Sequence, residues 1–185
     1  ANDPTIAPNG YLARTNFSFT GTEHEGLGYV RYQTDDETLA KAALTQSITS
    51  DWIFSSLARS FRNPKLGIDL RDGNHNKPNA TGWFIDQDFI SRSGTACSAI
   101  IQGVKVNENP ELTTMWTVLG YPPVSTAFPF WLKDAQTILP SLYTSAPEDP
   151  VTIFGKKVDA LKEEVYSFHE GIGSERYFNW DVLYN

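Results

Sequence analysis

One cysteine and one methionine stand among the 185 residues, and the scarcity of cysteine excludes two structural devices. A single thiol, Cys97, cannot close an intrachain disulfide, and zinc sites built from several cysteines are excluded with it. No apolar run approaches the roughly 18 residues that a membrane-spanning helix needs, and no signal-peptide pattern is visible. Positive charge is in deficit: 15 Lys and Arg against 22 Asp and Glu leave a net charge of −7, with an isoelectric point near 4.9. No run of Lys and Arg interleaved with aromatics offers a surface that could track phosphates, so nucleic acid is not the expected partner. The excess charge serves solubility instead. Repeats and low-complexity tracts are absent as well. The chain opens abruptly on Ala1-Asn2-Asp3-Pro4, which reads as a mature, cleaved or truncated start.

What is present is core material. The chain is 40% hydrophobic and 20% charged, with 5 Trp, 8 Tyr and 11 Phe, far from the composition of disordered chains. Planar, bulky side chains suit strands and packed sheet faces. The length fits one domain, or part of one, spanning residues 1–185.

Periodicity divides the chain coarsely. Leu12, Asn16 and Ser18 alternate with Ala13, Phe17 and Phe19, so Tyr11 to Phe19 reads as a strand, and Tyr29 to Tyr32 as a second one. Thr34-Asp35-Asp36-Glu37 is a capping-box sequence ahead of Leu39, Ala42, Ala43 and Leu44. Ser50 is placed to cap a further helix carrying Ile53, Phe54, Leu57 and Phe61. Pro64, Gly67, Gly73 and Pro78 mark residues 62–80 as a long loop. Trp83 to Phe89, Cys97 to Val104, Thr113 to Gly120 and Ser125 to Phe130 are short, apolar and bounded by turn residues, which suits an antiparallel sheet. Val151, Phe154, Val158, Leu161, Val165 and Phe168 mark one face of a helix over Pro150 to His169. Strands and helices in blocks argue an α+β fold rather than βαβ units.

Four separated stretches carry a family resemblance: Ala7-Pro8-Asn9-Gly10-Tyr11-Leu12-Ala13-Arg14-Thr15-Asn16-Phe17-Ser18, Gly28-Tyr29-Val30-Arg31-Tyr32, residues 82–92 (Gly82-Trp83-Phe84 through Ser91-Arg92), and residues 112–120 (Leu112-Thr113-Thr114 through Gly120). In this order they resemble the downstream half of the N-terminal-nucleophile (Ntn) hydrolases related to choloylglycine hydrolase, penicillin V acylase and acyl-CoA:6-aminopenicillanic acid acyltransferase. The chain is most similar to secreted-type members from gut Bacteroides, which implies a secreted or periplasmic location. The resemblance implies an αββα sandwich, two antiparallel sheets between helix layers, of which this chain would be the C-terminal part. It also implies cleavage of linear amides, or acyl transfer, by an N-terminal cysteine whose own α-amino group is the general base. Residue 1 here is Ala, so the resemblance places that cysteine on an upstream segment or a separate chain. Asn16 matches the strand asparagine that donates to the oxyanion hole. Arg92 matches the arginine near the nucleophile, where a guanidinium can hold the thiol as thiolate. No cofactor is implied.

Each candidate also has a plainer reading. Asn16 could be a buried amide bonded to backbone, and Arg92 a salt-bridge partner for Asp86 or Asp88. Cys97, within Ala96-Cys97-Ser98-Ala99-Ile100-Ile101, fits a small inert residue of an apolar strand. Asp86 and Asp88 share one strand face, which raises a glycosidase carboxylate pair, although such neighbours more often accept bonds from Arg or backbone. Asp69, Asp72, Asn74 and Asn76 resemble a calcium loop without its bidentate Glu, so an Asx-rich turn is favoured. His24, His75 and His169 have no metal-ligand spacing. Asn16-Phe17-Ser18 and Asn79-Ala80-Thr81 fit the glycosylation sequon, of consequence only in a eukaryotic secretory host. Trp116, Tyr121, Phe128, Phe130 and Trp131 suit either an acyl pocket or a sheet core.

The expectation is therefore part of an amidohydrolase acting on a small-molecule amide, with a cysteine-bearing partner segment, homo-oligomerisation and an apolar surface where the partner packs. A non-catalytic ligand- or partner-binding module on the same scaffold is the alternative.

Overall fold

The computed structural model describes residues 4–16, 28–71, 83–85, 88–134, 139–142, 151–168 and 176–184. It divides into two compact units, Ala1–Gly82 with Asp86–Arg92, and Trp83–Ile85 with Ser93–Asn185.

In the first unit Tyr29–Leu44 forms helix α1. The expected strand at Tyr29 to Tyr32 is thus its first turn. Aromatic and β-branched residues favour strands locally, but the eight residues after Asp36 are mostly strong helix formers, and each residue added to a helix gains a hydrogen bond. Val30, Thr34 and Ala42 form a buried row at spacings of four and eight residues. The capping-box residues consequently lie inside α1. Thr34 is fully buried and its hydroxyl faces the carbonyls of Val30 and Arg62, both at 3.1 Å. Glu37 pairs with Arg62 rather than reaching back to a cap. Gly28, at φ +90°, turns the chain into the helix, and Gln46, at φ +51°, turns it out.

Helix α2, Ser50–Trp52, is capped by Thr49 rather than Ser50, the Trp52 N–H donating to the Thr49 hydroxyl at 3.1 Å. It runs on through a π turn, Ile53–Leu57, closed by Ala58 N–H to Ile53 carbonyl at 2.8 Å. The π turn inserts one residue and shifts the buried stripe to Phe54, Ala58 and Phe61. Phe61 meets Phe89 edge-on at 5.7 Å. Within the expected loop, β1 (Arg62–Asn63) and β2 (Ile68–Asp69) pair antiparallel, and the Asn63 side chain accepts from Leu66 N–H at 3.1 Å inside their turn.

In the second unit β3 (Trp83–Ile85) is shorter than the strand expected to reach Phe89. Strands β4 (Cys97–Gln102), β5 (Thr114–Leu119) and β6 (Ala127–Trp131) form an antiparallel meander, close to the ranges read from the sequence. Helix α3 covers Ile153–Val165 and is capped by Thr152, whose hydroxyl accepts from Gly155 N–H at 2.9 Å. The chain then becomes β7 (Tyr166–Phe168), where helix was expected. The burial of Tyr166 explains the switch: it packs edge-on against Tyr121 at 5.5 Å and donates its hydroxyl to the Tyr121 hydroxyl at 3.0 Å. Strand β8 (Arg176–Asn179) pairs with both β7 and β3, and a short helix α4 (Trp180–Tyr184) follows.

Two contacts seat α3. Phe154 meets Phe128 of β6 edge-on at 4.9 Å. Gly120, at φ +79°, lies so close to Val158 that a β-carbon there would sit 2.5 Å from the valine Cγ1. Val118, Val158 and Val165 are buried to 2% exposure or less, and burial of such side chains contributes about 1.5–3 kcal/mol each. The fold thus mixes helices with small antiparallel sheets. Among the described residues no helix is long and apolar enough to cross a membrane.

Candidate functional site

Residues 11–15 were expected to extend as a strand, but they form none. Their side chains are bonded instead to α1 and to the turn before it. The Tyr11 hydroxyl donates to Asp36 at 3.1 Å, the Thr15 hydroxyl to the Gly28 carbonyl at 2.9 Å, and the Arg31 guanidinium to the side-chain carbonyl of Asn16. Burial, followed by the facing Asp36 carboxylate, holds the Tyr11 phenol above its ordinary pKa.

Asn16 and Arg31 form the centre of this arrangement. Arg31 is 7% exposed, whereas Asn16 is exposed. A guanidinium carries only donors, so it selects the amide oxygen of Asn16 and leaves the Nδ2 hydrogens to other acceptors. Gly28 permits the approach, since a β-carbon at that position would stand 2.4 Å from Asn16 Oδ1.

Burial lowers the Arg31 pKa, the Arg92 charge lowers it further, and Asp88 and Asp35 oppose the shift. Asp35 lies one turn beyond Arg31 on α1. Burial raises its pKa to about 6, and the Arg31 charge offsets only part of that rise. Two guanidiniums and two carboxylates therefore act on one another here, all within the first unit.

Of the residues singled out from the sequence, Asn16 bonds to Arg31, and Arg92 is near enough for its charge to act on Arg31. Asn16 is exposed, not buried as its plainer reading had it, and its side-chain oxygen accepts from Arg31. Asp88 is exposed and acts on Arg31 along with Arg92. Sequence reasoning missed Arg31 and Asp35, although a cation and an anion at i and i+4 are neighbours on any helix.

The other candidates scatter. Cys97 is exposed at the start of β4, opposite Leu119, and not the interior residue expected, because every second residue from Cys97 to Ile101 turns outward. Tyr121 is buried and Phe128 packs on Phe154, so both are sheet-core residues. Trp116 donates to the Gln102 side chain at 2.9 Å, and Trp131 is exposed. Asp69 accepts from Arg71 N–H at 3.0 Å, an Asx turn. Asp86, Asp72, Asn74, Asn76, Asn79, the second half of the Asn16 sequon, and His24, His75 and His169 lie outside the described residues. Among the described residues no group of three or more His, Cys, Asp or Glu is placed to hold a metal ion.

Comparison with family models, with curated proteins and with solved structures finds no match.

Proposed function

We propose that the first unit supplies the oxyanion side of an Ntn amidohydrolase that cleaves linear amide C–N bonds, on the C-terminal part of an αββα scaffold. The nucleophile in this reading is a cysteine carried on a preceding segment or a separate chain. The single observation that supports it is the buried Arg31 guanidinium holding Asn16 by its carbonyl oxygen. An asparagine gripped in this way presents N–H donors in a fixed direction, which is what an oxyanion site requires.

In the proposed reaction the thiolate attacks the amide carbonyl carbon and a C–S bond forms. The carbonyl oxygen takes the negative charge and accepts a hydrogen bond from Asn16 Nδ2. Collapse of the tetrahedral species breaks the C–N bond, and the departing amine takes the proton held by the nucleophile's own α-amino group. Water attacks the thioester next, giving up its proton to that amine and returning the thiol; an acceptor amine in place of water makes the reaction acyl transfer. Arg92 supports the thiolate charge. Arg31 positions Asn16 without touching the substrate.

Removal of one oxyanion donor typically costs about 10²–10³ in kcat. Asn16→Ala in the complete protein is therefore expected to lower kcat/KM on a linear acyl p-nitroanilide by about that factor, in protein that still folds although Arg31 loses this acceptor. An unchanged kcat/KM with intact folding would refute the oxyanion role and leave the alternative, a binding module on the same scaffold.

A further inference from the structure

Two to three turns beyond Arg31, α1 borders a cleft of about 510 Å³, wholly within the first unit. Its wall carries three cationic side chains, Lys41, Arg62 and Arg71, and two carboxylates, Glu37 and Asp69. The seryl hydroxyls of Ser56 and Ser60 complete it. The volume lies in the range of ordinary small-molecule sites, about 300–1,000 Å³.

The carboxylates are already engaged by the protein. Glu37 pairs with Arg62, and Asp69 accepts from the backbone N–H of Arg71. The cations retain donor capacity. Among the described residues Arg71 uses Nη1 on the Ser55 carbonyl at 2.6 Å, and a guanidinium has four further N–H donors. Arg62 Nη1 is buried and makes no hydrogen bond among the described residues. That nitrogen is closed to solvent, so an anion in the cleft meets Arg62 through the open remainder of its side chain, which is 31% exposed. Positive charge is also in excess on the wall, with three cations against two carboxylates.

We propose that this cleft binds a small organic molecule by an oxyanion, a carboxylate or a phosphate, seated between Arg62, Arg71 and Lys41. A planar guanidinium fork matches either anion by paired hydrogen bonds, and Lys41 adds a mobile charge at the rim. The site stands apart from the amidohydrolase reading and does not depend on it.

Calorimetric titration of the full-length protein at fixed ionic strength, with inorganic phosphate in one arm and succinate in the other, tests the proposal. Saturable 1:1 binding of either probe is expected, and the better probe identifies the anion. Arg62→Gln should weaken it about tenfold or more, and Arg62→Lys should restore it only in part. Arg62 also pairs with Glu37, so two gentler variants separate binding from folding. Lys41→Gln, at an exposed position, should weaken binding several-fold at unchanged melting temperature. Glu37→Gln frees the Arg62 fork and should tighten it. Failure of both probes to bind, or affinities indifferent to Lys41→Gln and Glu37→Gln, would overturn the proposal.

Discussion

A guanidinium with 7% of its surface exposed must be met by acceptors, and Arg31 meets the Asn16 carbonyl oxygen and the fields of Asp35 and Asp88. Asp35 bears the cost of this arrangement. Its carboxyl titrates near 6 rather than 3.8 because burial disfavours the charged form more than Arg31 favours it. The folded state therefore binds the proton more tightly than the unfolded chain does. The contribution to stability is complete below pH 3.8 and is lost as pH rises through about 6. The rise bounds the effect at about 3 kcal/mol, with the true value smaller because Asp35 keeps some exposure. Asp35→Asn is expected to flatten the pH dependence of stability between pH 4 and 6, as read by urea midpoints across that range. Identical pH profiles for the two proteins would show that Asp35 is not the group responsible. At this scale the ordered motifs singled out Asn16 and Arg92, and the structure adds the bond from Arg31 to Asn16. Arg31 and Asp35 were not singled out, because Tyr29 to Tyr32 reads as a strand, and in a strand Arg31 and Asp35 would not be stacked neighbours.

Among the elements, legibility followed the range of the forces involved. The meander β4–β5–β6 was readable because its alternation is local and Gly, Pro and Asn bound each strand. The first turn of α1 was misread because its own side chains favour strand while the helix is imposed by residues downstream. The end of α3 was misread because Tyr166 is taken out of the helix by a partner 45 positions away, Tyr121. A similar long-range constraint governs Gly120. Its left-handed backbone and its closeness to Val158 penalise any side chain twice: about 1–2 kcal/mol for the backbone and about 1–3 kcal/mol for forced repacking. Gly120→Ala is accordingly expected to cost about 3 kcal/mol in denaturant unfolding, whereas Gly94→Ala, with open space at its position, should cost far less. Equal effects of the two substitutions would remove Val158 from the argument.

For the whole molecule, a net charge of −7 coexists with apolar surface that the charge does not cover. Ile101 and Met115 lie opposite each other on neighbouring strands, at 75% and 43% exposure. Leu112, Leu132 and Val106 are exposed as well. These 185 residues are therefore expected to bind ANS and to self-associate as concentration rises, and under the proposed amidohydrolase reading a cysteine-bearing segment would suppress both. A monodisperse, ANS-negative monomer would argue against a covered face. Composition predicted enough apolar material for a core but not which part of it remains uncovered, because that depends on which faces the chain's own helices reach.

Strand β3 leaves a mark on how the second unit assembles. Its partner β8 begins some ninety residues later in the chain, Ile85 facing Tyr177, while the meander closes through connections of about a dozen residues or fewer. The entropy of drawing chain ends together grows with the separation between them, and long-range pairings slow folding. The meander therefore forms first and β3 docks late, held by only three residues. The same ordering runs in reverse under stress: β3 peels away before the meander opens.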